Sequence, residues 1–290
     1  MTANAPFDRA LLDRRRLRAA RRGASGASFL LDAVGGELAE RLSLVQRQFA
    51  VGVELAGHTG VLAERLRVGG QVERLVRIER DARFLDAGEG VVADEEALPL
   101  ADESVDLVVS SLSLHLTNDT PGVLVQIRRA LRGDGLLLAA LLGGETLNEL
   151  RSALLAAEAE ISGGASPRVA PFADLREAGG LLQRAGFALP VIDQDRLTVR
   201  YGSMFELMRD LRDMGMSNML HARVRRPAGR RLFFRAAEIY AERFADPDGR
   251  LRATFDVIYL SGWKPHESQQ KPLKPGSATH SLAEALKPKS

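Results

Sequence analysis

Apolar residues in the first fifty positions recur at helical spacing. In "FDRALLDRRRLRAARR", Phe7, Leu11, Leu12, Leu17 and Ala20 predict a first helix over 7–22, broken by the stretch Gly23 to Gly26. Phe29, Leu30, Val34, Leu38 and Leu42 predict a second helix, with a weak point at Gly35-Gly36. After Arg47 the pattern changes to short apolar runs alternating with helical stretches. Strands are expected at 49–55, 72–79, 90–96, 104–115 and 135–143. Between them lie helical segments at 60–67, 81–88 and 120–132, the last with Thr120 as its cap and Pro121 at its first position. Strands alternating with helices in this way predict an α/β fold with a parallel, doubly wound, Rossmann-like sheet.

Helices are expected at 145–160 and 172–185, and two β-rich segments come after them, "FALPVIDQDRLTVRY" and "RATFDVIYLSGW". The stretch 203–245 between them is helical in pattern. The expected organisation is an N-terminal helical cover (1–48), a core (49–202 plus 250–263), a helical insertion before the last strand (203–249) and a flexible tail rich in Pro, Lys, Ser and Gln (264–290). Tyr201, Met204, Phe205, Met208, Met214, Met216 and Met219 crowd the start of the insertion; core packing is the expected role, an adaptable lid the alternative.

With 45% hydrophobic and 27% charged residues in 290, the composition is that of a globular protein. The chain has no Cys, so disulfides and thiolate metal sites are excluded, and a reducing, cytoplasmic location is expected. No apolar run approaches the roughly 20 residues that span a bilayer. The net charge is only +2, and aromatic residues make up 5%, too few for the stacking platforms of a nucleic-acid binder. Arginines cluster at 14–16, 18, 21 and 22, but Asp8 and Asp13 interrupt them, which favours a solvated helix face over a transit peptide.

Ligands of open α/β sheets bind at the carboxyl ends of the strands. Here those ends are polar in order. The first exits through Glu54 into Ala56-Gly57-His58-Thr59-Gly60. The second ends at Glu79, 25 residues after Glu54, about where a ribose-binding acid belongs. The third ends at Asp94-Glu95-Glu96 and the fourth at Ser110 to His115. Each alone also fits a plain turn, a solvated acid or a cap. Their ordered spacing on one scaffold points to a ligand site.

The stretch 49–142 resembles the class I S-adenosylmethionine-dependent methyltransferase fold. "VVADEEALPLADESVDLVVSSLSLHLTND", "IRRALRGDGLLLAALLGGETLNELRSAL" and "DGRLRATFDVIYLSGWKPHESQQKPLKPGS" narrow the resemblance. They are similar to bacterial relatives of a mitochondrial complex I assembly factor that acts as a protein arginine hydroxylase, a group near the malonyl-carrier-protein methyltransferases of biotin synthesis. The resemblance implies S-adenosyl-L-methionine as cofactor and a protein substrate or carrier protein as partner, a complex I subunit among the candidates. It implies that Glu54 orients the loop and holds the methionine amine through water, and that the backbone of Ala56 to Gly60 approaches the cofactor. Glu79 would accept from the ribose hydroxyls and Asp94 from the adenine amine, with Glu95 beside it. Ser110, Ser111 and Leu112 would pass beneath the methyl group, and His115 is the candidate base.

Two departures from that pattern stand out. Ala56 and His58 replace the first two glycines of the usual acidic-x-Gly-x-Gly-x-Gly loop, so Gly57 is expected to take any left-handed position. Leu116 stands where an aromatic commonly follows the histidine. The leading expectation is methyltransferase-like modification of a protein partner in complex I assembly. Its rivals are O-methylation of a malonyl carrier protein and a non-catalytic assembly chaperone with a degenerate loop. Hydroxylation is implied by resemblance alone, since no two-His, one-carboxylate iron pattern is apparent. A nicotinamide dehydrogenase does not suit the loop, which lacks Gly-x-Gly-x-x-Gly spacing.

Overall fold

The computed structural model describes residues 5–24, 26, 28–85 and 88–270. Seven strands form one sheet: β1 (Phe49–Leu55), β2 (Val72–Glu79), β3 (Gly90–Val92), β4 (Val105–Ser111), β5 (Leu131–Leu142), β6 (Ala188–Tyr201) and β7 (Leu251–Trp263), in the order β3-β2-β1-β4-β5-β7-β6. β1 to β5 pair in parallel; β7 is antiparallel to both β5 and β6. The order reverses between β1 and β4, so the crevice of this sheet opens at Leu55 and Ser111. The expected doubly wound α/β sheet is what forms.

Helices cover both faces. α2 (Phe29–Ser43), α3 (Val61–Gly69), α5 (Asn148–Ser162) and α8 (Arg230–Phe244) pack on one side, through residues such as Val34, Leu38, Leu62, Leu150 and Ile239. α4 (Thr120–Ala130) and α6 (Leu175–Arg184) pack on the other through Val123, Ile127, Ala178 and Leu182. β4 is buried along its whole length, as a strand covered on both faces must be, whereas β6 at the edge is largely exposed.

α1 (Arg9–Arg22) meets α7 (Met204–Asp213) over the carboxyl ends of the strands, and α7 also joins the first of those layers through Met204 and Leu207. Asp8 N donates to Met219 O at 2.8 Å and His221 N to Pro6 O at 2.9 Å, while Arg223 pairs with Asp8 at 2.9 Å. Phe7, Leu12, Leu116, Ala170, Met219 and Leu220 form a separate small core there. The N-terminal segment and the segment after α7 thus build one roof over the crevice.

Several local expectations change. Gly35-Gly36 does not interrupt α2; a Cβ on Gly35 would make ordinary contact with Val61 of α3 at 3.6 Å, so the packing of α2 on α3 does not require glycine there. Asp119, not Thr120, caps α4, accepting from Gly122 N at 2.9 Å. The helix expected at 81–88 reduces to one 3₁₀ turn at 82–84, and residues 86 and 87 lie outside the described residues. The start of the expected flexible tail is tied down: Lys264 N donates to Gly135 O at 2.8 Å and Gln269 Nε2 to Asp134 at 2.9 Å. Residues 271–290 lie outside the described residues. Among the described residues no helix is long and apolar enough to cross a membrane.

Candidate functional site

The loop after β1 is tight, and its strain falls on non-glycine residues. Ala56 has φ 52° and His58 φ 57°, both left-handed, while Gly57 does not. This corrects the expectation that Gly57 takes the left-handed position. Left-handed backbone costs an L-residue roughly 1–2 kcal/mol, so two such positions in one loop mark a conformation that its surroundings enforce. Gly57 serves a different need: a Cβ there would sit 2.2 Å from the Glu54 carboxyl carbon. Leu112, at the exit of β4, is left-handed as well at φ 50°.

Beneath the loop lies a fully buried charge cluster. Glu54 Oε1 accepts from Ala63 N at 3.0 Å, and its Oε2 accepts from Arg77 Nε at 2.5 Å. Both oxygens are engaged and the residue is wholly buried, so Glu54 orients the loop from below. Arg77 also donates to Glu79 Oε1 at 3.0 Å, to Phe84 O at 2.7 Å and to His58 O at 3.3 Å. His58 N donates to the same Glu79 oxygen at 2.7 Å. Glu79 itself is buried and stands behind the cavity lining, and its Oε2 accepts from no described residue. Burial pushes the Glu79 carboxyl up to about 7, although Arg77 and Arg16 pull it down.

A cavity of about 470 Å³ opens in front of this cluster, within the range of small-molecule sites. His58, Thr59, Arg77, Phe84, Ser111 and Leu112 form its strand-end wall, and Arg16, Leu30 and Met216 face them from the roof and α2. Of the expected cofactor residues, His58, Ser111 and Leu112 line it. Ala56, Gly57 and Gly60 shape the loop from behind, Glu79 acts at its wall through His58 and Arg77, and Ser110 spends its hydroxyl on Leu55 O at 3.0 Å. The His58 ring lies 4.6 Å from that of Phe84, tilted by 52°; burial, then Arg16 and Arg77, hold its pKa down to about 3. His58 Nε2 and Ser111 Oγ are buried without a partner, polar atoms that a ligand could satisfy.

Asp94 and Glu95 stand outside this lining. Arg9 of α1 pairs with Asp94 at 2.6 Å, Glu95 at 2.6 Å and Glu96 at 2.9 Å, and Asp94 also accepts from Glu96 N at 2.8 Å. The acids expected near adenine thus anchor the roof. His115 is also outside the lining. Its Nδ1 accepts from Leu142 N at 3.3 Å, which places the proton on Nε2, and burial holds its pKa down to about 3. Its ring lies edge-on to Phe172 at 5.3 Å, and its Nε2 is buried without a partner among the described residues.

A second, apolar cavity of about 290 Å³ adjoins the first across Leu30, Leu142, Met214 and Met216. Met208 and Met219 line it too, so part of the methionine-rich stripe forms a cavity wall while Met204 packs in the core. Its charged lining residues are Arg15 and Arg168; Arg15 donates to Asn218 O, and Arg168 pairs with Glu158 at 2.7 Å. Among the described residues no group of three His, Asp or Glu is placed to hold a metal ion.

Sequence reasoning misses Arg77 and Arg16. Arg77 lies two residues before Glu79, hence on the same face of β2, and that register is the available signal. Arg16 reads, in sequence, as part of a solvated arginine face. The buried stripe of α1 is in fact Arg9, Leu12, Arg16 and Ala19, a helical repeat that includes two arginines.

Comparisons with known proteins bear on the family and the fold. A family model described as a methyltransferase domain matches residues 53–139. The chain is 41% identical over 266 residues to "Arginine-hydroxylase NDUFAF5, mitochondrial" of Danio rerio, covering 89% of this chain and 82% of that protein. It is 37% identical over 268 residues to "Malonyl-[acyl-carrier protein] O-methyltransferase" of Laribacter hongkongensis, covering 86% and 88%. A solved putative methyltransferase from Bacillus halodurans superimposes with TM-score 0.54 at 15% identity, over 81% of this chain and all of that one, which shows a shared fold.

Proposed function

The chain belongs to the methyltransferase-domain family that contains the arginine hydroxylase NDUFAF5 and the malonyl-[acyl-carrier protein] O-methyltransferases, and from that premise we propose that it binds S-adenosylmethionine and modifies a group carried by a protein partner in respiratory complex I assembly. The observation that carries the cofactor reading is the 470 Å³ cavity at the crevice, whose wall holds the unpartnered His58 Nε2 and Ser111 Oγ, with Glu79 at the end of β2 directly behind His58 and Arg77. The cofactor's sulfonium supplies an already activated methyl group. What the chain adds is position: the carboxylate of Glu79 holds the ribose, Arg77 and Glu54 hold Glu79 and the loop, and the roof excludes water. The adjoining apolar cavity is where the acceptor enters.

One feature favours a second reading. The described lining of the acceptor cavity carries arginines and no carboxylate, a charge sign that suits the acyl group of a carrier protein better than a cationic guanidinium. The first experiment is calorimetric titration with S-adenosylmethionine and S-adenosylhomocysteine, repeated on Glu79→Ala. Micromolar binding that the variant loses supports the cofactor reading; absence of binding to either compound overturns it and leaves a non-catalytic assembly chaperone. Transfer of labelled methyl to a malonyl carrier protein, against a mass gain on an arginine of a complex I subunit, then separates the two acceptors.

A further inference from the structure

Helix α1 brings into the cavity a cation without a counter-ion. Arg16 is 8% exposed and lines the 470 Å³ cavity together with His58, Ser111 and Leu112. Its guanidinium makes no hydrogen bond or ion pair with any described residue. Glu95, Glu79 and Asp13 act on it only at longer range, and each is taken: Glu95 by Arg9 at 2.6 Å, Glu79 by Arg77 at 3.0 Å and Asp13 by Arg80 at 2.9 Å. Arg9 and Arg77 are equally buried, yet each lies against two or more carboxylates. A buried cation is costly unless an anion meets it, so the contrast marks Arg16 as waiting for a charge that the fold does not supply.

The cofactor reading of the cavity, on which this inference rests, offers one anion. S-Adenosylmethionine is neutral at its adenosine end and carries a carboxylate at its amino-acid end. Glu79 addresses the ribose, and the polar residues on the opposite wall beside Leu30 and Met216 are Arg16, Ser28, whose hydroxyl donates to Asp32 at 2.7 Å, and Asp213, paired with Arg22 at 3.0 Å. We propose that Arg16 receives the α-carboxylate of the cofactor's amino-acid end through the paired N–H groups of its guanidinium, so that α1 is a ligand-completed part of the site. Binding then tightens the roof. Arg9 fixes one end of α1 to the turn after β3, and the ligand carboxylate fixes its middle.

The test compares S-adenosylhomocysteine with 5′-methylthioadenosine, which keeps the adenosine and sulfur but lacks the amino acid. Calorimetric titration of Arg16→Met should show about 10- to 100-fold weaker binding of S-adenosylhomocysteine and a change below about threefold for 5′-methylthioadenosine. Arg16→Lys should fall between, since an ammonium is a point charge without the planar fork. The ligand-free Arg16→Met protein should melt no lower than the wild type, because an uncompensated buried charge has been removed. Equal losses for both ligands, an unchanged affinity for S-adenosylhomocysteine, or a lower melting temperature each overturn the assignment. Wild-type protein that binds neither compound overturns the cofactor reading and this assignment with it.

Discussion

Replacing Arg77 by Met tests whether the buried cluster beneath the loop is held together by charge. The substitution keeps much of the side-chain volume and removes the cation from between Glu54 and Glu79, which are 0% and 3% exposed. It also strips the Phe84 and His58 carbonyls of their donors, at 2.7 and 3.3 Å. Breaking a buried pair from one side costs about 3–5 kcal/mol, because the remaining charge is left uncompensated. The sign of the pH dependence comes from Glu79. Its carboxyl stands at about 7 in the fold against an ordinary 4.5, so it adds most to stability below 4.5, and that contribution is lost as pH rises through 7. Without Arg77 the folded value moves higher still. The wild type then stops losing stability near pH 7 while the variant goes on losing it, and the gap between them widens above neutrality. Urea denaturation at pH 6 and pH 8.5 reads this directly. A penalty under about 1 kcal/mol at pH 8.5, or one equal at both pH values, refutes the reasoning. Adding Glu54→Gln to the variant should recover part of the loss.

Two further outcomes are expected from the same residues. If ribose hydroxyls bind the ionised form of Glu79, affinity for S-adenosylhomocysteine should fall about tenfold from pH 8 to pH 6, and Glu79→Gln should flatten that slope; a level wild-type profile contradicts the role given to Oε2. Gly57→Ala places a Cβ 2.2 Å from a carboxyl group that Ala63 N and Arg77 hold in place, so cofactor binding should be lost and stability should fall by about 1–3 kcal/mol. A variant that binds S-adenosylhomocysteine normally would show that the loop has room to move.

Much of the scaffold is legible because its signals are local. β1 and β2 form at 49–55 and 72–79 as expected, since their apolar runs are bounded by polar turns. β3 ends early, at Val92, because the chain beyond Val92 turns to present acids to Arg9, a residue more than eighty positions away. The same kind of distance hides the chemistry of the site. Glu54 and Glu79 stand out as acids at strand ends, but the sign that an arginine on β2 occupies both is confined to the two-residue register that puts Arg77 on the face of Glu79. Arg16 is lost in a run of arginines, because the face it occupies is decided by what covers α1 and not by α1 itself. For the loop, sequence reasoning assigns the strain to the residue best able to bear it; the left-handed angles at Ala56 and His58 arise because Gly57 is needed for its closeness to Glu54.

The roof over the crevice has a consequence for how the protein is made. Its two halves meet through Asp8 and Arg223, which are 215 residues apart. At ribosomal rates of about 5–20 residues per second, the first helix waits roughly 10–40 s for its partner to be synthesised. During that interval Phe7, Leu12 and the buried arginines of α1 have no cover, while the parallel strands made next can already collapse around β1. The roof therefore cannot close until residues 219–223 are made, when only α8 and β7 are still to come, and until then the amino-terminal helix is open to a chaperone that holds it.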